Sequence, residues 1–165
     1  MRLEIITEKN NAEFIFTQGS LTGDSNRKNY TPDQFELSWK EWLKFVVLYD
    51  DSEIVGFGAI RDFGDYARIF DRYFVFPEFR QLGLGNNEFC KIFANFMIEN
   101  VEGKIPFISM EHARRRGVLQ NAVEACNSVL EKSNHLKMLG GLFETVPGSW
   151  QNIAININHD HFDLN

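Results

Sequence analysis

FVFPEFRQLGLGNNEFCKIF, residues 74–93, runs from an apolar strand-like segment through a proline into an arginine, two glycines and a helix-like pattern. Phe89, Ile92, Phe93, Phe96 and Met97 recur at i, i+3, i+4, i+7 and i+8, which puts one apolar helix face just beyond the glycines. A strand that ends at a glycine-rich turn and opens a helix leaves several backbone N–H groups without partners. Those donors and the helix dipole both favour an anion. Glycine also lets a ligand approach the backbone with no Cβ in the way. The spacing R-x-x-G-x-G, carried by Arg80, Gly83 and Gly85, therefore suits a pyrophosphate, with Arg80 adding charge at the rim. A tight turn that holds nothing is the competing reading, and the motif alone does not choose between the two.

The segments on either side narrow the choice. FVVLY (45–49), DDS (50–52) and EIVGFGAIRD (53–62) read as strand, turn and strand. FGDY (63–66) is a second turn and ARIFDRYFVF (67–76) a third strand, so an antiparallel meander covers 45–76. Gly56 and Gly58 lie two apart in the middle strand, where glycine marks a close backbone approach. A Walker loop needs Lys-Ser/Thr after its last glycine, and Asn86-Asn87 stand here instead. The Rossmann fingerprint belongs to a βαβ unit, which an antiparallel meander is not.

Further out, RLEIIT (2–7) reads as a first strand, NAEFIFTQG (11–19) as a short helix and SLTGDSNRKNY (20–30) as an exposed loop. Thr31 suits an N-cap, Pro32 the first helical position and Gln34 the third position of a capping box. Phe35, Trp39, Trp42 and Leu43 then fall on one helical face. The two tryptophans are either core or the lining of a substrate pocket. Beyond the central motif, GKIPFISMEH (103–112) predicts a strand, and residues 114–131 a helix with Leu119, Ala122, Val123, Cys126, Val129 and Leu130 on one face. SNHLKMLGG (133–141) predicts a short helix capped by Ser133 and ended by glycine. GLFETV (141–146), PGS (147–149) and WQNIAININ (150–158) predict a closing hairpin, followed by the loose tail HDHFDLN. No internal repeat, linker or low-complexity segment interrupts the order.

The chain of 165 residues fits a single domain, 1–165, and at 44% hydrophobic and 14% aromatic it can bury a sizeable core. A net charge of −6 argues against a nucleic-acid binder, which carries a basic footprint, and favours cationic partners such as amines. No apolar run is long enough for a membrane span, and MRLEIITEKNNAEF does not suit a secretory signal. Cys90 and Cys126 fall on predicted helix faces without metal-like spacing and read as buried reduced thiols. Together these features point to a cytoplasmic protein, with no nucleic-acid or membrane partner.

At this point VFPEFRQLGLG (75–85) resembles the acyl-CoA pyrophosphate loop of the GNAT-type N-acetyltransferases, whose pattern is V-x-P, then Arg or Gln, then x-x-G-x-G or A. Val75, Pro77, Arg80, Gly83 and Gly85 match it, and the order of elements resembles that family's fold over nearly the whole chain. The resemblance implies an α/β (α+β) fold: a central, mixed, mostly antiparallel sheet flanked by helices, with a splayed strand pair for CoA. It implies acetyl-CoA as co-substrate and no metal. The pyrophosphate would rest on Arg80, Gln81, Leu82, Gly83, Leu84, Gly85 and Asn86. The pantetheine arm would pair with the strand edge at Phe74, Val75 and Phe76, where backbone N–H groups would polarise the thioester carbonyl.

For the proton transfers the resemblance implies a base in the strand before the loop. Asp71 and Tyr73 share one strand face by alternation, opposite Arg72 and Phe74. An ion pair of Asp71 with Arg68 or Arg72 is its competing, structural reading. Glu111 and His112, at the end of the next strand, are further candidates for base or amine contact. The family often carries a Tyr acid in a later helix, and this chain has no Tyr after Tyr73; Leu136 or Lys137 stands about there. Cys126, Ser128, Ser133 and His135 are the substitutes on offer. ARRRG (113–117) reads as a solvated charge run or an anion site, and HDH (159–161) as tail rather than metal site. Trp39, Trp42 and the loop at 20–30 lie where the family shapes its acceptor pocket.

The expectation is an N-acetyltransferase that moves acetyl from acetyl-CoA to a primary amine, small-molecule or peptide, by direct attack in a ternary complex, as monomer or homodimer. An inactive acyl-CoA-binding module of the same fold is the alternative, and a small interaction domain with an empty turn is a third.

Overall fold

The computed structural model describes residues 1–19, 29–81, 86–110, 123–127, 136–138, 143–146 and 149–156. Its elements are β1 (Arg2–Ile5), α1 (Lys9–Gln18), α2 (Pro32–Trp39), β2 (Trp42–Asp50), β3 (Glu53–Phe63), β4 (Tyr66–Val75), α3 (Pro77–Gln81), α4 (Asn86–Glu99), β5 (Ile105–Met110), β6 (Leu136–Met138), β7 (Phe143–Val146) and β8 (Ser149–Asn156). A helical stretch also covers 123–127. The class is α+β, with antiparallel ladders and one parallel ladder, as the sequence predicts. The chain gathers into two compact units, Met1–Asp62 with Phe70–Leu84, and Phe63–Ile69 with Gly85–Asn165.

In the first unit, β1 pairs antiparallel with β2 from Arg2↔Tyr49 to Ile5↔Val46, and β2 with β3 from Trp42↔Arg61 to Asp50↔Glu53. The hairpin turns at Asp51, whose φ of +53° is a left-handed conformation that a short polar side chain tolerates. Helix α1 starts earlier than its apolar pattern because Glu8 caps it, accepting from the N–H groups of Asn10 and Asn11. Ala12, Ile15 and Phe16 are its buried face. Helix α2 begins as predicted: Thr31 accepts from the Gln34 N–H and Pro32 takes the first turn.

Its end differs from the prediction. Trp42 and Leu43, read as the last turn of that helix, open β2 instead. The Asp62 N–H donates to the Glu41 carbonyl at 2.8 Å and Trp42 pairs with Arg61, so ladder bonds to β3 replace helical ones. An aromatic residue fits a pleated, half-buried surface well, and long-range pairing overrides the helical spacing.

The core of this unit is aromatic. Phe16 lies 5.3–5.7 Å from the rings of Tyr30, Phe35, Trp42 and Phe57. Phe45 stacks on Trp42 at 5.3 Å, and Phe57 on Phe74 at 5.5 Å. Each buried Phe contributes about 1.5–3 kcal/mol from the area it removes from water, and each pair about 0.5–1.5 kcal/mol more. Helices α1 and α2 thus fasten onto one face of the β2–β3 sheet through rings.

In the second unit, the start of β4 pairs parallel with β5, Tyr66↔Ile105 through Arg68↔Phe107. β5 pairs antiparallel with β8, and β8 also carries β6 and β7. The closing hairpin is therefore present as predicted. The short helix expected at 133–141 is not: Leu136–Met138 form β6, paired with Asn156, Ile155 and Ala154 of β8. Local capping signals at Ser133 lose to backbone bonds offered by a distant strand. Helix α4 buries Phe89, Cys90, Phe93, Ala94 and Met97; of the predicted apolar face Phe89, Phe93 and Met97 are buried, and Ile92 and Phe96 are half-buried. Of the helix predicted at 114–131 only 123–127 lies within the described residues, with Ala125 and Cys126 buried.

Candidate active site

Strand β4 leads into the glycine loop, and it is not a regular strand. Phe70 has φ +59° and Arg72 φ +53°. Neither is glycine, so each left-handed residue costs on the order of 1–3 kcal/mol that the surroundings must offset. Between them Asp71 is 5% exposed, the one charged side chain among the buried polar groups of the described residues. Its Oδ2 accepts from Trp42 Nε1 at 2.8 Å and from Arg61 Nε at 3.1 Å. Arg61 also reaches Glu41 at 3.1 Å and the Ser38 hydroxyl at 3.4 Å. Arg72 donates to Gln34 Oε1 on α2 at 3.0 Å, and the Phe70 ring packs edge-on against Tyr73 at 5.2 Å.

The alternation expected over 71–74 therefore fails. Asp71 and Phe74 were to lie on opposite faces. Both meet the aromatic cluster under α1 and α2, Asp71 through Trp42 and Phe74 through Phe57 and Tyr30. Two left-handed residues rotate the backbone out of period two, which sequence pattern cannot anticipate for Phe and Arg. Asp71 forms an ion pair with Arg61 of β3, whereas the partner foreseen was Arg68 or Arg72. Tyr73 is half-buried, and its carbonyl accepts a long bond, 3.5 Å, from the Tyr30 hydroxyl.

After the kink, the strand end is pressed against β3. The Phe76 N–H donates to the Val55 carbonyl at 2.9 Å. A Cβ on Gly56 would overlap the Phe74 carbonyl oxygen and stand 3.1 Å from Val75 Cα. The close approach predicted at Gly56 is thus the backbone of β4 itself. Phe74, Val75 and Phe76 are all buried by their side chains. Pro77 then starts the one-turn helix α3, which sequence reading missed; a proline at N1 was its signal. Arg80 and Gln81 close α3, and Asn86 opens α4. Leu82, Gly83, Leu84 and Gly85 lie outside the described residues, as do Glu111, His112, the loop at 20–28, ARRRG and HDH. The donor set that a pyrophosphate needs is consistent with this order: a short turn of helix, glycines, then the first-turn amides of a 14-residue helix.

Trp39 and Trp42 are half-buried and meet edge to face at 6.3 Å. With Ile6, Thr7, Leu43 and Lys44 they line a groove of about 250 Å³. Trp42 packs into the core, as the structural reading has it, and also borders this groove. Leu43 is the extra residue of a bulge between Trp42 and Lys44, which turns side chains toward it.

Cys90 and Cys126 are buried and not joined to one another or to another cysteine by a disulfide, as expected. Burial, with a smaller contribution from Cys90, pushes the Cys126 thiol far above its ordinary range. Such a thiol is not an available nucleophile. Among the described residues no group of three or more His, Cys, Asp or Glu is placed to hold a metal ion. No helix among them is long and apolar enough to cross a membrane.

A kinked strand, the proline turn of α3 and, beyond residues 82–85, the start of α4 follow one another in the order in which the sequence reading expected an anionic ligand. Comparison with known proteins makes this particular. The Acetyltransferase (GNAT) family matches residues 14–87, which include β4 and the loop. No curated protein sequence matches the chain. Among solved structures, a spermidine N-acetyltransferase SpeG chimera from Vibrio cholerae and hSSAT is 12% identical, with TM-score 0.57, over 96% of this chain and 97% of that one. The aminoglycoside 6'-N-acetyltransferase from Enterococcus faecium is 16% identical, with TM-score 0.54, over 99% of this chain and 100% of that one. An acetyltransferase of Bacillus subtilis in complex with CoA is 12% identical, with TM-score 0.50, over 93% and 95%. At such identities the likeness is one of fold. The family match covers residues 14–87, a little under half of the chain, and the solved structures extend the likeness of fold over nearly all of it.

Proposed function

We propose that the protein is an N-acetyltransferase that moves the acetyl group of acetyl-CoA to a primary amine by direct attack in a ternary complex. The observation that carries it is R-x-x-G-x-G placed between the kinked end of β4 and the start of α4, in a chain whose residues 14–87 match the GNAT family. The loop residues Arg80 to Asn86 take the pyrophosphate, and the edge of β4 at Phe74 to Phe76 takes the pantetheine arm. The amine nitrogen gives a proton to a base and attacks the thioester carbonyl. The C–S bond then breaks, and the CoA sulfur leaves with a proton. The buried Cys126 supports direct transfer, because it offers no thiolate for an acyl-enzyme.

Tyr73, Glu111 and His112 are the groups we assign to the proton transfers. Asp71 is the weaker base, because one of its oxygens already serves two donors. The aromatic groove at Trp39 and Trp42 is our choice for the acceptor side. The similar proteins named above include enzymes for spermidine and for aminoglycosides, both amines, and the net charge of −6 fits a cationic acceptor.

An inactive acyl-CoA-binding module is favoured by one observation. Where a helix with an acidic Tyr was sought, the chain has the strand Leu-Lys-Met. A screen of amines with acetyl-CoA, read by release of free thiol, decides between the two. Turnover with any amine excludes the inactive module; CoA binding without turnover excludes the enzyme.

A further inference from the structure

The two left-handed residues in β4 need an account that the proposed chemistry does not supply. Each flanks Asp71, and each of the three side chains is tied to something different. Phe70 packs on Tyr73. Asp71 is gripped from β2 by Trp42 and from β3 by Arg61. Arg72 is gripped from α2 by Gln34. A strained backbone persists only where its surroundings over-determine it, and anchors from three separate elements do that here.

We propose that Asp71 is a positioning residue. With Trp42 and Arg61 as its grips, and Gln34 gripping Arg72, it clamps the left-handed pair and so sets the direction of the backbone amides that follow, Phe74 and Val75, the Phe76 N–H being held by the Val55 carbonyl. The role rests on the acyl-CoA reading, since those amides border the proposed thioester site. In a regular strand amides point alternately to the two edges; a clamped kink re-aims them and holds them still before substrate arrives. The grip on Asp71 also explains an otherwise idle feature. A side chain meant to exchange a proton with an amine does not need two fixed donors on one oxygen, whereas a tether does. Trp42 thereby couples the groove at its outer side to the strand at its inner side, as its ring borders the one and its Nε1 holds the other.

The test compares wild type with Trp42→Phe, which keeps a ring on Phe45 but removes the N–H donor together with part of the indole's volume, with Asp71→Asn, with Gln34→Ala and with the double variant Trp42→Phe/Asp71→Asn. Amide hydrogen exchange is read without ligand. The clamp predicts at least tenfold faster exchange at residues 70–74 in Trp42→Phe and Gln34→Ala, with 2–5 and 45–49 unchanged; unchanged exchange at 70–74 overturns it. In turnover, Trp42→Phe and Asp71→Asn should each lower kcat about tenfold, leave KM for acetyl-CoA within twofold, and combine to no more than either alone. An inactive Asp71→Asn beside a fully active Trp42→Phe overturns the positioning role in favour of a base. Calorimetry of wild type with CoA stands apart from both. If no CoA binds, the donor reading fails by itself, and the clamp is judged on exchange alone.

Discussion

Trp42 Nε1 donates to Asp71 Oδ2 at 2.8 Å, joining residues 29 apart in sequence, and Arg61 Nε donates to the same oxygen at 3.1 Å. A half-buried indole and an arginine thus converge on one buried carboxylate in the middle of a kinked strand. Removing the acceptor takes this partner from the Trp42 N–H and one acceptor from Arg61, which keeps Glu41 and Ser38. Asp71→Ala should destabilise the fold by about 2–4 kcal/mol, because unpaired buried polar and charged groups lose their compensation. The urea midpoint measures this, and a change below about 0.5 kcal/mol would mean that water replaces the carboxylate.

Gly56 sits where a side chain would meet the backbone of β4. In Gly56→Ala, β3 and β4 must part at Phe74, and overpacking of this kind costs about 1–3 kcal/mol. The same parting disturbs the strand end proposed for the pantetheine arm. We expect weaker acetyl-CoA binding as well as a lower melting temperature. Gly64, with open space around it and a φ of +73°, is the control for stability. Gly64→Ala should lower the melting temperature through backbone strain and leave acetyl-CoA affinity alone.

Acetyl-CoA should stabilise the protein. At a concentration 100 times its Kd the gain is about 2.7 kcal/mol, or roughly 5–10 °C in melting temperature for a chain of this size. Gly83→Trp should abolish the shift by filling the space over the loop amides. A wild type that does not shift with acetyl-CoA would sink the donor assignment.

Phe16 of α1 is wholly buried and meets four rings, those of Tyr30, Phe35 on α2, Trp42 on β2 and Phe57 on β3. Phe16→Ala should cost about 3–5 kcal/mol, the loss expected of a core aromatic. Phe14, on the same helix but 63% exposed, should cost little when changed to Ala. Thermal unfolding of the two variants separates core packing from helix propensity.

The Cys126 thiol is pushed up by burial, so its proton is held more tightly folded than unfolded. Well below the ordinary thiol range, about 8.5–9, both states are protonated and pH has no effect through this group. Above it the unfolded chain loses the proton first, so stability falls as pH rises, by at most about 1.4 kcal/mol per pH unit. Urea midpoints between pH 8 and 10.5 should therefore drop more steeply in wild type than in Cys126→Ala. Parallel slopes would show that the thiol is exposed to solvent.

Much of this architecture is legible in the order of residues because its signals are local. The periodic face of α4, the Thr31 cap, the turns at 50–52 and 63–66, the closing hairpin and the R-x-x-G-x-G spacing each depend on neighbours a few residues away. They were enough to suggest the GNAT-like fold, which the family match over residues 14–87 and the similar solved structures share, and to single out the loop. The features that were misread all depend on partners far along the chain. Trp42 left the helical pattern because Arg61 offered a ladder position, and 136–138 became a strand because β8 offered another.

The sequence by itself determined the helix and strand periods, the caps and the anion-suited spacing, since short-range sterics and unpaired amides follow from residue type. Only the tertiary structure decided that Phe70 and Arg72 turn left-handed and that Asp71 is held by Trp42 and Arg61. No local signal marks such residues, because phenylalanine and arginine do not favour that conformation. It exists only where contacts from α2, β2 and β3 together outweigh its strain.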